Sequence, residues 1–174
     1  MTLDSSIFKA YDIRGIVGSS LTIDGVKLIG KAIGSSAKNG ESICVGRDGR
    51  LSGPSIVSAP IEGITSTGVD VINIGQVSSP VLYYSTHELE TRNGIMVTGS
   101  HNPPEYNGLK IVLDGRAIYG QEIQNLLKLI ETENFDTGHG NVTNADINEQ
   151  YVNRITSDIH LKRGMKVSID CGNG

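Results

Sequence analysis

Apolar residues recur at helical spacing over 22–38, where Val26, Ile29, Ile33 and Ala37 share one face. Thr22 fits the N-cap, Asp24 the first turn, and Asn39-Gly40 the stop. A short apolar run follows at 42–46. Ser52 and Pro54 then open a second helix reaching Thr67-Gly68, with Pro60 predicting a kink or an early break inside it. Residues 70–74 read as a strand, Ser79-Pro80 opens a helix to Leu89, and 94–98 and 109–113 read as two more strands. A helix from Gly120 to Glu133 carries Ile123, Leu126, Leu127 and Ile130 on one face. Residues 134–148 are polar and read as a loop, 146–159 as a helix, and 165–170 as a strand running into Cys171-Gly172-Asn173-Gly174.

Short apolar strands separated by helices predict a three-layer α/β/α domain with a mixed, mostly parallel sheet. The ten or so residues between the strands at 94–98 and 109–113 cannot hold a crossover helix. The second of these strands is therefore expected to be antiparallel, at an edge. The pattern assigns residues 1–140 to this domain. It assigns 141–174 to a connecting helix and the first strand of a further unit that stops where its next helix should begin.

At 174 residues the chain is long enough to bury a core without disulfides or metals. Its net charge of -4 and its few aromatics, with no Trp, argue against nucleic acid and anionic membrane as partners. No apolar run reaches bilayer length. Cys44 and Cys171 lie far apart, and the opening residues carry no basic-apolar leader, so a cytoplasmic setting is expected. The 22 glycines predict many tight turns.

Two glycine patterns mislead. Gly25-Val26-Lys27-Leu28-Ile29-Gly30-Lys31-Ala32 has phosphate-loop spacing, but Ala32 stands where Ser or Thr is required, and the segment is helical. Gly138 and Gly140 lack the third glycine and the preceding strand of a dinucleotide site. His87, His139 and His160 are isolated, as expected of solvated surface, and no Cys/His cluster has zinc spacing.

The concentrated chemistry is Thr98-Gly99-Ser100-His101-Asn102-Pro103, placed after an apolar strand, where α/β folds put active sites. It combines a hydroxyl nucleophile, a possible base and a stiffening proline. An esterase elbow would need glycines where Thr98 and Asn102 stand. Phosphoryl transfer through the serine is the remaining reading, and it calls for nearby donors and positive charge such as His101 and Lys110. Two further polar segments suit phosphate chemistry: Phe8 to Gly15, and Gly46-Arg47-Asp48-Gly49-Arg50. For the second, a turn with a local Arg–Asp pair is the simpler account.

Together with Asn107-Gly108-Leu109-Lys110, these three motifs resemble the first domain of the α-D-phosphohexomutases, in the form found in bacterial phosphomannomutase/phosphoglucomutase. The resemblance covers essentially the whole chain. It implies a four-domain magnesium enzyme that interconverts hexose 1-phosphate and 6-phosphate through hexose 1,6-bisphosphate. On that resemblance Ser100 carries the phosphoryl group and gives the metal one ligand. Arg14, His101 and Lys110 are catalytic, and Tyr11 and Asn102 bind substrate. The family's metal-binding aspartates, sugar loop and phosphate loop are absent from these residues. The isolated chain is thus expected to be inactive, with the downstream domains of a parent chain as partners. The alternative is a stand-alone phosphosugar-binding or regulatory module.

Overall fold

The computed structural model describes residues 3–37 and 41–172. A single 3-10 turn (Ser5–Ile7) leads into β1 (Ile13–Ile16), followed by α1 (Ile23–Ser36), β2 (Ile43–Arg47), α2 (Gly53–Thr65) and β3 (Val71–Gln76). Next come α3 (Ser79–Glu88), β4 (Asn93–Val97), β5 (Tyr106–Leu113) and β6 (Arg116–Ala117). The remaining elements are α4 (Gln121–Glu131), β7 (Val142–Asn144) and α5 (Asn148–Asp158). The strands form one seven-stranded sheet ordered β1-β5-β4-β2-β3-β7, with β6 returning along β5.

β2 pairs in parallel with β3 and β4, and β3 with β7. β5 pairs antiparallel with β4, β1 and β6, so it alone runs against the rest. The single reversed strand matches the sequence reading, but it is not at the edge. Its outer side is taken by β1, a strand the hydrophobic pattern did not announce.

Helices cover both faces. The larger core joins Val26, Ile29 and Ile33 of α1, Ile56 and Ile64 of α2, and Ile123 and Leu126 of α4 to the sheet. The smaller core, on the other face, holds Val81 and Leu82 of α3, Cys44, Met96 and Ile147. Thr22 caps α1 as expected, its hydroxyl accepting from the Gly25 N–H at 3.1 Å. The expected stop at Asn39-Gly40 lies outside the described residues.

α2 runs continuously through Pro60, so the early break offered as one alternative does not occur. The lost N–H costs one helical bond, but α1 packs against this point. A Cβ on Gly30 would stand 2.5 Å from the Pro60 carbonyl oxygen, so the helices touch backbone to backbone there. Ser52 sits at the N-cap of α2 without capping it; its hydroxyl accepts instead from Asn107 Nδ2 at 2.9 Å.

Two further expectations change. The loop at 134–148 contains β7, which extends the sheet to Asn144. Residues 165–170 form no strand among the described residues. Met165, Val167 and Ile169 are all exposed, and an alternating pattern makes a ladder only where a neighbouring strand accepts it. His87, His139 and His160 are exposed, as expected.

Candidate active site

The carboxyl ends of β2, β3 and β4 meet at one rim of the sheet. Here the Asp48 N–H donates to the Val97 carbonyl at 3.0 Å and the Val77 N–H to the Arg47 carbonyl at 2.9 Å. An open concavity of about 1130 Å³ lies against them. Asp48, Arg50, Ser78, Ser100, His101 and Asn102 are among its walls.

Ser100 sits at the tip of the turn that leaves β4, exposed, with φ +53°. Its N–H donates to Thr98 Oγ1 at 2.8 Å, and its Oγ lies 3.4 Å from His101 Nδ1. Asn102 closes the turn, its N–H and Nδ2 both donating to the Gly99 carbonyl, at 3.0 and 2.9 Å. The turn is also gripped from the neighbouring loop. Asp48 Oδ2 accepts from the Gly99 N–H at 3.3 Å, and the Arg50 guanidinium reaches the carbonyls of Ser100 and Asn102 at 3.0 and 2.6 Å. The Gly46–Arg50 segment is therefore no isolated surface turn. The simpler sequence account has the Arg50–Asp48 pair right, at 3.5 Å, but that pair is the longest of Arg50's contacts.

A second group lies on β1 and β5. Asp12, nearly buried, forms ion pairs with Arg14 and, at 3.6 Å, with Lys110. Lys110 stands opposite Met96 of β4 and so projects to the α3 face of the sheet. Lys110, Tyr11, Tyr83 and Tyr119 line a smaller concavity of about 310 Å³, with Tyr11 76% exposed. Ser100, His101 and Asn102 are thus brought into one concavity, Lys110 and Tyr11 into a second, and Arg14 is joined to Lys110 through Asp12. Asp12, Asp48 and Arg50 are the residues that sequence reasoning left without a role. Their signal lay only in sitting inside the two polar motifs.

Among the described residues no three His, Cys, Asp or Glu side chains converge to hold a metal ion. Asp48, the carboxylate beside Ser100, already accepts from two backbone N–H groups. These residues do not build a magnesium site by themselves.

The profile of the family described as phosphoglucomutase/phosphomannomutase, alpha/beta/alpha domain I, matches residues 5–137. The chain belongs to that family. Among its relatives, the phosphomannomutase/phosphoglucomutase of Pseudomonas aeruginosa is 48% identical over 175 residues, covering 99% of this chain and 38% of the relative. The phosphoglucomutase of Neisseria meningitidis is 49% identical over 172 residues, covering 97% and 37%. A crystal structure of a phosphoglucomutase/phosphomannomutase family protein from Burkholderia thailandensis superposes with a TM-score of 0.88 at 46% identity, over 93% of this chain and 38% of that one. The phosphohexomutase domain described here thus spans under two fifths of the length of these relatives. Among the described residues no helix is long and apolar enough to cross a membrane.

Proposed function

We propose that this chain is the phosphoserine-bearing domain of a phosphohexomutase, with Ser100 as the residue that carries the phosphoryl group. One observation supports this above the others: Ser100 is exposed on a strand-end turn whose shape is fixed by hydrogen bonds from a separate loop. In the proposed reaction the phosphoryl group leaves Ser100 Oγ for the free hydroxyl of a hexose monophosphate. The P–Oγ bond breaks, a P–O bond to the sugar forms, and the proton lost by the sugar hydroxyl is balanced by one gained at Ser100 Oγ. The resulting hexose 1,6-bisphosphate returns its other phosphate to Ser100. His101, beside Ser100, suits the proton transfer. Arg14 and Lys110 supply positive charge for the transferring group, as such chemistry requires, and Tyr11 and Asn102 face the sugar phosphate.

In our reading this domain runs past the expected boundary at 140, because β7 joins its sheet and Ile147 its smaller core, and the residues after them lead toward further domains of a parent chain. A phosphate oxygen on Ser100 is the one magnesium ligand this chain would offer, the protein carboxylates coming from those domains. The isolated chain should therefore lack mutase turnover, because substrate orientation alone can supply about 7–11 kcal/mol of barrier lowering.

The test is peptide mapping and turnover of the full-length parent. Phosphate on Ser100, and loss of activity in Ser100→Ala, are expected; activity within a few-fold of wild type would defeat the proposal. A binding or regulatory module would instead keep its hexose-phosphate affinity in Ser100→Ala and carry no phosphate. Steady turnover of glucose 1-phosphate by purified chain 1–174, abolished by Ser100→Ala, would show that this domain suffices.

A further inference from the structure

An arginine beside a phosphorylated serine invites assignment as a phosphate ligand. The geometry points elsewhere for Arg50. A guanidinium has five N–H donors and no acceptor. Nη1 donates to the carbonyls of Pro103 and Tyr106 at 2.8 and 3.0 Å. Nη2 donates to those of Ser100 and Asn102 at 3.0 and 2.6 Å. Nε faces Asp48 Oδ2 at 3.5 Å. The four carbonyls take the Nη1 and Nη2 donors and Asp48 stands in front of Nε, so the guanidinium is committed to the protein rather than turned toward a phosphate.

We infer that Arg50 is a positioning residue: it gathers the carbonyl ends of the Ser100 turn on one side and thereby reserves the other side for the anion. This rests on the proposal that Ser100 is phosphorylated. In a trans peptide the carbonyl and the following N–H point in opposite directions, and the described residues contain no cis peptide. The Ser100 carbonyl is drawn to Arg50, so the His101 N–H is directed away from it. No protein acceptor takes that N–H among the described residues. The Asn102 and Pro103 carbonyls both precede prolines, so those two peptides have no N–H to orient. His101 N–H is therefore the donor the clamp presents to the phosphoryl group. The neighbouring Ser100 N–H is already taken by Thr98 Oγ1, so the His101 N–H is the turn's remaining donor at this point.

Gly99 belongs to the same device. A Cβ there would stand 2.3 Å from Arg50 Cζ and 2.4 Å from Nε, so the guanidinium can lie against the turn only because position 99 has no side chain. Arg50→Lys keeps the charge but replaces a planar fork by one nitrogen that cannot serve four carbonyls. Gly99→Ala keeps every charge and displaces the fork.

In the full-length parent, both variants should lower kcat about 10²-fold, the scale of a misplacement of roughly 1 Å, with KM for the hexose phosphate changed by less than about threefold. Free guanidinium should restore part of the kcat of Arg50→Ala. In the 174-residue chain, Arg50→Lys should speed amide hydrogen exchange at Ser100 and Asn102 and leave β2 and β4 protected. A raised KM at unchanged kcat would make Arg50 a direct ligand and overturn the inference. So would turnover within threefold of wild type in Arg50→Lys, or unchanged exchange in the turn. Failure of the Ser100 assignment is read separately, from Ser100→Ala. The exchange experiment judges the clamp even then, and would also expose a variant that had simply unfolded.

Discussion

Asp12 is the least conspicuous residue of the site, yet it joins two of its cations. It is 8% exposed and holds two cations from two strands, Arg14 and Lys110. Asp12→Asn should leave those cations facing one another without a counter-charge and cost about 1–3 kcal/mol. Urea unfolding of the chain would measure it. Lys110→Ala should behave differently, because Asp12 keeps Arg14. The thermal midpoint should hardly move, while parent turnover falls about a hundred- to a thousandfold, as for other groups that stabilise developing charge. A large stability loss with normal specific activity would make Lys110 structural. Ser100, His101 and Asn102 are legible in the sequence because their chemistry is contiguous. Asp12 and Arg50 are not, because beyond their near neighbours Arg14 and Asp48 their site contacts lie far along the chain: Asp12 with Lys110, and Arg50 with Ser100, 50 residues away. No window of local sequence contains both ends of such a contact.

The elements legible in the sequence are the helices with one clearly buried face, notably α1 and α4, and the central strands β2 and β4, whose burial on both faces makes them continuous apolar runs. β1 escapes because it is four residues long, with only Ile13 and Gly15 buried. β7 escapes because all three of its side chains are exposed. Alternation is a burial signal, and an edge strand without burial emits none. The crossing of α1 and α2 gives a packing prediction. A Cβ on Gly63 would lie 2.2 Å from the Lys27 carbonyl oxygen. Alanine at 63 gains about 1 kcal/mol of helix propensity, but overpacking against backbone costs about 1–3 kcal/mol or more. Gly63→Ala should therefore lower the denaturant midpoint. At the start of α4, Arg116 donates to Glu122 at 2.8 and 2.6 Å. That hydrogen bond, partly offset by burial, holds the Glu122 carboxyl below its ordinary 4.5. A depressed carboxyl stabilises the fold above its unfolded pKa and loses that contribution as pH falls through the folded one. Glu122→Gln should thus be slightly less stable than wild type at neutral pH. The two should converge in acid, as paired thermal melts across that range would record.

Across the whole molecule, the sheet separates a large core under α1, α2 and α4 from a smaller one under α3 and α5, and the two cysteines mark different depths. Cys44 is fully buried in the smaller core, where burial pushes its thiol pKa up despite a contact with Thr91 Oγ1 at 3.3 Å. Cys171 is exposed. Iodoacetamide should modify Cys171 in the native chain and reach Cys44 only on unfolding, since the thiolate is the reactive form; rapid native labelling of Cys44 would mean that the α3 face opens. The overall layering was legible because helix–strand alternation leaves few alternatives. The position of β5 was not, because nothing near it reveals that the first strand returns to cover it. That return has a consequence for synthesis. Ile13–Ile16 leaves the ribosome early, yet its partners are Tyr106–Leu109, and loop closure over such a span must precede any reward from the contacts it brings. Until β5 is translated, Asp12 has no Lys110 to pair with and the Ser100 turn lacks the Tyr106 carbonyl that Arg50 holds. The rim that carries the Ser100 turn therefore takes its shape only after β5 has left the ribosome, later than β2, β3 and the helix between them.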